Sequence, residues 1–267
     1  MVPERYSHGH HESVLRSHRW RTAKNSAGFL LARLRPDARV LDVGCGPGTI
    51  TVDLATRVPT GQVLGIDIVP EVLDSGRALA RARDVTNVTF AVGDAYDMEI
   101  DDASFDVVYA HQVLQHLREP VRALSEMRRV LVPGGLLAVR ESDYGAFTWA
   151  PADPRLDEWM AAYHLLTARN GATADAGRFL HVWVRSAGFT DREVTASTWT
   201  YARPEERQWW GELWADRVTQ SAFATQCLEY GIATPADLER FATAFRAWSR
   251  DEDGCFHVPS DEVLARA

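Results

Sequence analysis

The chain has 267 residues, 46% hydrophobic and 25% charged, which suits one large folded domain and excludes a small stapled scaffold, a disordered chain or a fibrous repeat. A net charge of −8 and a pI near 5.6 argue against a protein held on nucleic acid or on an anionic membrane by charge alone. Three widely spaced cysteines, Cys45, Cys227 and Cys255, make neither a disulfide framework nor a four-thiolate metal site and fit a reducing cytoplasm. No stretch reaches the roughly 18–20 apolar residues of a membrane span, and the polar start from Met1 to His11 does not read as a signal peptide. A cytoplasmic location is expected. Nine tryptophans are unevenly placed: Trp20 comes early and the other eight lie from Trp149 onward. That asymmetry predicts two regions with different tasks.

In chain order, a helix-like stretch over residues 12–34 precedes a strand over 39–43, a glycine-rich turn and a helix over 49–57. A second strand covers 62–67, and Pro70 opens a helix running to about Arg83. Strands over 88–92 and 105–110, a helix over 121–131 ending at Pro133-Gly134-Gly135, and a strand over 136–139 follow. Near-continuous apolar strands separated by helices predict a parallel sheet covered on both faces. Beyond residue 145 the reading is a helical region over 153–187 broken near Asn170-Gly171, a Thr- and Val-rich strand over 189–201, helices over 205–250 broken near Gly231 and Pro235, and a last strand from Cys255. The predicted fold is α/β: a Rossmann-like, seven-stranded, mostly parallel sheet with helices on both faces, an N-terminal helical cap and a helical insertion before the last strand. The expected division is a cap over 1–38, a cofactor-binding core over 39–203, a helical lid over 204–253 and a final strand over 254–267.

In such sheets ligands bind beyond the carboxyl ends of the strands. After the first strand stands Asp42-Val43-Gly44-Cys45-Gly46-Pro47-Gly48. Glycines between strand and helix let backbone approach a ligand, and the helix start offers free amides. The spacing is G-x-G-x-G rather than the G-x-G-x-x-G of dinucleotide binders. Asp42 either receives a cationic amino group or braces the loop, and Cys45 reads as a small packing residue of the turn. Asp67, at the end of the second strand and followed by Ile68, suits the two hydroxyls of a ribose. After the third strand, Gly93-Asp94-Ala95 supplies a carboxylate for an amino group beside small residues that admit a ring.

With Ser104-Phe105-Asp106-Val107-Val108, Val113-Leu114-Gln115-His116-Leu117 and Leu131-Val132-Pro133-Gly134-Gly135, these pieces stand in the order seen in a known family. The run from Val40 to Val139 resembles the class I S-adenosylmethionine-dependent methyltransferases, particularly the ubiquinone/menaquinone-biosynthesis-like methyltransferase-domain group. The resemblance implies S-adenosylmethionine as cofactor, Gly44 and Gly46 packed beneath it, Asp67 on the ribose, Asp94 on the adenine amine and Ala95 at the ring edge. It places Ala110-His111-Gln112 beside the methionine part. It also implies an N-terminal cap, in which Tyr6 and the 12–34 helix, with Arg19 and Arg21, cover the cofactor and neutralise its carboxylate. The candidate cofactor-binding set is therefore Tyr6, Arg21, Asp42, Gly44, Cys45, Gly46, Asp67, Ile68, Gly93, Asp94, Ala95, His111 and Gln112.

His111 is the candidate base, because an imidazole can take a proton from oxygen, nitrogen or activated carbon; the alternative is a contact with the cofactor. His116 reads as a brace of the sheet edge. The cluster His8, His10 and His11 reads either as a metal site or as a border of the active-site mouth, and no metal is expected. The C-terminal tryptophans suit either a lid around a planar or apolar acceptor or the core of a helical subdomain. The expected activity is methyl transfer to an O, N or C atom of a small, apolar or aromatic acceptor. No nucleic-acid partner is expected; the oligomeric state stays open, with a homodimer the form considered. Two rivals are an NAD(P)-dependent oxidoreductase and a protein that keeps the S-adenosylmethionine pocket without methylating.

Overall fold

The computed structural model describes residues 5–9 and 11–267. A cap of three short helices comes first: α1 (Glu12–Trp20), α2 (Ala23–Ser26) and α3 (Gly28–Leu31). The single 12–34 helix expected from the sequence is thus corrected to three pieces. Arg21 leaves α1 in an extended conformation, and Thr22 then accepts from the Asn25 amide at 3.2 Å, starting a new helix with its own cap.

The core follows as β1 (Arg39–Val43), α4 (Thr49–Arg57), β2 (Gln62–Asp67), α5 (Pro70–Ala82), β3 (Val88–Val92), β4 (Phe105–His111), α6 (Pro120–Val130) and β5 (Leu131–Ser142). A single 3-10 turn over Leu114–His116 links β4 to α6. The remainder is β6 (Thr148–Ala150), α7 (Pro154–Asn170), α8 (Ala176–Ser186), β7 (Thr190–Tyr201), α9 (Pro204–Gln220), α10 (Ala222–Glu229), α11 (Pro235–Arg250) and β8 (Cys255–Arg266). No helix among the described residues is long and apolar enough to cross a membrane.

Strands β3, β2, β1, β4 and β5 pair in parallel in that order, and β8 lies antiparallel between β5 and β7. The sheet is mostly parallel with helices on both sides, as expected, but has eight strands among the described residues rather than seven. The addition is three-residue β6, which continues the β5 edge and pairs with the start of β8; it is too short to show a pattern of its own.

Alternation along the strands sends one set of side chains to each face. Val40, Val107, Tyr109, Leu136 and Ala138 pack with Leu30 and Leu54 on one side. Leu41, Val43, Val108, Leu137 and Val139 pack with Leu124, Met127, Leu180 and Val184 on the other. A third core is aromatic and joins α7 to α9, α10 and α11: Trp159, Trp210, Trp214, Trp248, Phe223, Phe245 and Phe256. The parallel order leaves the carboxyl ends of β1, β2, β3 and β4 side by side on one edge, with the cap above them.

Candidate active site

At that edge lies a cavity of about 580 Å³. All thirteen residues of the candidate cofactor set line it, from Tyr6 and Arg21 in the cap to His111 and Gln112 after β4. The glycine turn explains the opening. Gly44 has φ +69°, and a Cβ there would stand 2.4 Å from Val113 Cγ2, so only glycine fits. At Gly46 the same atom would meet nothing nearer than His18 Nδ1 at 3.8 Å, which leaves that face of the backbone open to the cavity. Gly48, also left-handed, starts α4 without a side-chain cap, so the amides of its first turn remain available.

The Asp67 carboxylate is oriented by two backbone donors, the Gly46 amide on Oδ2 at 2.9 Å and the Val69 amide on Oδ1 at 3.0 Å. A carboxylate has about four acceptor sites, so two remain for a ligand. Asp94 Oδ1 accepts from the Tyr96 amide at 2.9 Å, which aims the turn after β3. Asp42 is 3% exposed and accepts from Thr51 Oγ1 at 2.6 Å; burial pushes its pKa up to about 7 despite that bond. Cys45 packs in the turn, its thiol pKa raised by burial and then by Asp42 and Asp67, so it stays protonated and unreactive.

After β4 the chain turns sharply. Gln112 has φ +54°, the left-handed region that costs a non-glycine residue energy and clusters at functional sites. Its side chain accepts from Arg21 Nη2 and donates to Ser142 Oγ. Glu141, fully buried at the end of β5, accepts from the Val113, Leu114 and Gln115 amides at 2.9, 2.8 and 3.3 Å and so holds the turn in place. Burial outweighs those bonds and pushes its pKa up to about 7. His111 is 5% exposed, both ring nitrogens lack a hydrogen-bond partner, and its ring meets Trp199 edge-on at 5.7 Å. Burial, reinforced by Arg21 and Arg140, holds its pKa well below 6.5; the imidazole is neutral.

A second, smaller chamber of about 30 Å³ adjoins the cavity and shares with it Tyr6, His18, Arg21, Gln112 and His116. Trp20, Trp199, Trp209, Trp210 and Trp214 line it, with Tyr144, Arg217 and Ser142. The tryptophans therefore divide. Trp159 and Trp248 serve the aromatic core, Trp20 faces the chamber, and Trp199, Trp209, Trp210 and Trp214 do both, the first two half-buried at the edge of the core.

The histidines separate likewise. His8 Nε2 sits 3.2 Å from Tyr144 Oη and 3.0 Å from Tyr163 Oη in the chamber wall, His11 caps α1 by accepting from the Ser13 amide at 3.2 Å, and His10 lies outside the described residues. Among the described residues no three His, Cys, Asp or Glu side chains converge as metal ligands. Arg19 does not reach the cavity and pairs with Glu12 at the surface. His116, expected to brace the sheet edge, lies on the wall shared by both spaces, with Tyr6 edge-on at 4.6 Å and its pKa lowered by burial to about 3. Glu141, Ser142, Trp199 and Arg217 were missed. An acid or hydroxyl at the carboxyl end of β5 is a signal that the strand-end rule offered; Arg217 had none.

Residues 34–207 match the family described as "Methyltransferase domain". An uncharacterized methyltransferase of Schizosaccharomyces pombe is 32% identical over 97% of this chain and 95% of its own length. A trans-aconitate 2-methyltransferase of Methylobacterium radiotolerans is 32% identical over 88% of this chain and 86% of its own. The solved YcgJ protein of Bacillus subtilis shares the fold, with a TM-score of 0.58 at 18% identity over 90% of this chain and 96% of that one.

Proposed function

The chain belongs to the class I S-adenosylmethionine-dependent methyltransferases, and from that premise we propose that it transfers a methyl group in line to an O, N or C atom of a small, apolar or aromatic acceptor admitted beneath the tryptophan-bearing helices. The observation that carries the reading is the wall shared by the strand-end cavity and the aromatic chamber, because transfer needs a cofactor and an acceptor within contact of each other.

The residues present suit the cofactor. The open backbone at Gly46, the two unused acceptor sites of Asp67, and Asp94 beside small Ala95 supply a floor, a ribose clamp and an adenine edge. Ile68 would cover the ring, and Arg21, steadied by Gln112, would take the carboxylate. Asp42 would receive the amino group while Thr51 braces it. Bound S-adenosylmethionine supplies a methyl already made electrophilic by its sulfonium.

What the chain then contributes is alignment and exclusion of water. Tyr6 and α1 roof the site, and the Glu141-held turn presents Gln112 and His116 at the junction. His111 has a free lone pair but low basicity, which suits an acceptor that loses its proton after transfer, when methylation has made it acidic, rather than before. The test is methyl-labelled S-adenosylmethionine incubated with the protein and a metabolite extract: label should move to a small molecule. Label that stays on a tightly bound cofactor would assign the chain to binding without methylation, and calorimetry that detected NAD but not S-adenosylhomocysteine would overturn the cofactor reading.

A further inference from the structure

The aromatic chamber holds a charge that the chain does not balance. Arg217, in the last turn of α9, is 4% exposed. Its Nη2 donates to the Ser13 carbonyl at 3.2 Å and to Ser17 Oγ at 2.8 Å, Nε has no partner, and its Cζ lies 4.5 Å from the centre of the Trp214 ring. Among the described residues no carboxylate pairs with it. Arg140, buried as deeply, has Glu262 Oε1 at 3.3 Å.

The ionisable side chains that face Arg217 do not help. Tyr6, Tyr144 and Tyr163 are held protonated by burial, and His8 is held neutral by burial and by Arg217 itself. A guanidinium remains charged even where burial lowers its pKa, as it does here. Carbonyls at the end of α9 and the face of Trp214 offer partial charges only. Buried cations are ordinarily paired. Arg21, at the mouth, is directed in the reading above to the cofactor carboxylate, so Arg217 is left for something else.

At about 30 Å³ against the cavity's 580 Å³, the chamber has room for a small polar group such as a carboxylate rather than for a whole acceptor. We infer that the acceptor is an organic acid whose carboxylate enters the chamber and pairs with Arg217, leaving the acceptor's body at the junction between Gln112 and His116 and directed at the larger cavity. The inference rests on the methyl-transfer reading and adds the substrate class and an anchoring residue.

The test titrates benzoate and benzamide, equal in shape and different in charge, into the full chain saturated with S-adenosylhomocysteine, read by calorimetry and by tryptophan fluorescence. Benzoate is expected to bind at least about tenfold more tightly than benzamide, as a charge-assisted pair requires. Arg217→Leu should abolish that preference while S-adenosylhomocysteine still binds; Arg217→Lys should keep part of it. Equal affinities on the unaltered chain, which need no variant to interpret, would overturn the inference, as would a preference that survives in Arg217→Leu. Failure of S-adenosylhomocysteine to bind would instead overturn the methyl-transfer reading, and the benzoate contrast would still decide the anion site.

Discussion

Replacing Asp67 tests the cofactor site at its best-defined point. The carboxylate already serves the Gly46 and Val69 amides at 2.9 and 3.0 Å, and two ribose hydroxyls would occupy its remaining acceptor sites. Charge-assisted bonds contribute about 1.5–3 kcal/mol each, so the pair bounds the loss at roughly 3–6 kcal/mol, with water in the emptied cavity recovering part of it. Asp67→Ala should weaken S-adenosylhomocysteine at least tenfold, about 1.4 kcal/mol, and nearer a hundredfold if both bonds are lost. Asp67→Asn, which keeps one acceptor, should fall between. The assay is calorimetry with S-adenosylhomocysteine and its 2′-deoxyribosyl analogue on the unaltered chain and both variants. In Asp67→Ala the deoxy analogue should bind as well as the parent, because the hydroxyl has no partner left. Unchanged affinity, or a hydroxyl contribution that persists in Asp67→Ala, would refute the ribose assignment.

Arg21→Gln should reduce affinity for S-adenosylhomocysteine about tenfold, the loss of one charge-assisted pair, while 5′-methylthioadenosine, which lacks the amino-acid end, binds as before; equal losses would remove Arg21 from the carboxylate. Asp42 has its pKa raised by burial from 3.8 to about 7, so the folded state holds the proton more tightly than the unfolded one. Stability from this group is complete below pH 4 and declines as the pH rises to about 7. In ligand-free protein Asp42→Asn should therefore gain ~2–3 kcal/mol more, relative to the unaltered chain, at pH 8 than at pH 5; an equal shift at both pH values in thermal unfolding would contradict the assignment. Trp159→Ala, in the aromatic core with no exposed surface, should cost about 3–5 kcal/mol in denaturant unfolding. Trp209→Ala, half-buried where the chamber meets the core, should cost less, about 1–2 kcal/mol, and act on acceptor affinity, so similar losses would deny the difference between the filled core and the chamber wall.

The cofactor side was legible because a parallel β/α sheet places its ligand-facing residues just after its strands. Asp67, Gly93-Asp94-Ala95 and His111-Gln112 each follow an apolar run that a reader can find, and their meeting in one cavity follows from strand order. The cap was less legible. Hydrophobic spacing over 12–34 does not mark the two breaks, one where Thr22 accepts from the Asn25 amide and one where Ala27 leaves the helical conformation. The aromatic chamber was legible only as a region, not residue by residue. It draws Trp20 from α1, Ser142 from β5, Trp199 from β7 and Arg217 from α9, residues up to about two hundred positions apart that tertiary packing alone brings together. Tryptophan composition pointed to the region without separating Trp159, which fills the core, from Trp209, which faces the chamber.

The position of β8 bears on how the chain acquires its shape during synthesis. Residues 255–266 form the middle of the antiparallel part of the sheet, with β5 on one side and β7 on the other. Until these residues have been made and have emerged, β5 and β7 lack the strand that lies between them, while the five parallel strands that border the strand-end cavity are already complete. A nascent chain halted near residue 250 would expose ladder groups on both edges, the template on which other chains add strands. Aggregation of such a truncated chain, rather than loss of the parallel half, is then the failure to which this order of synthesis is most open.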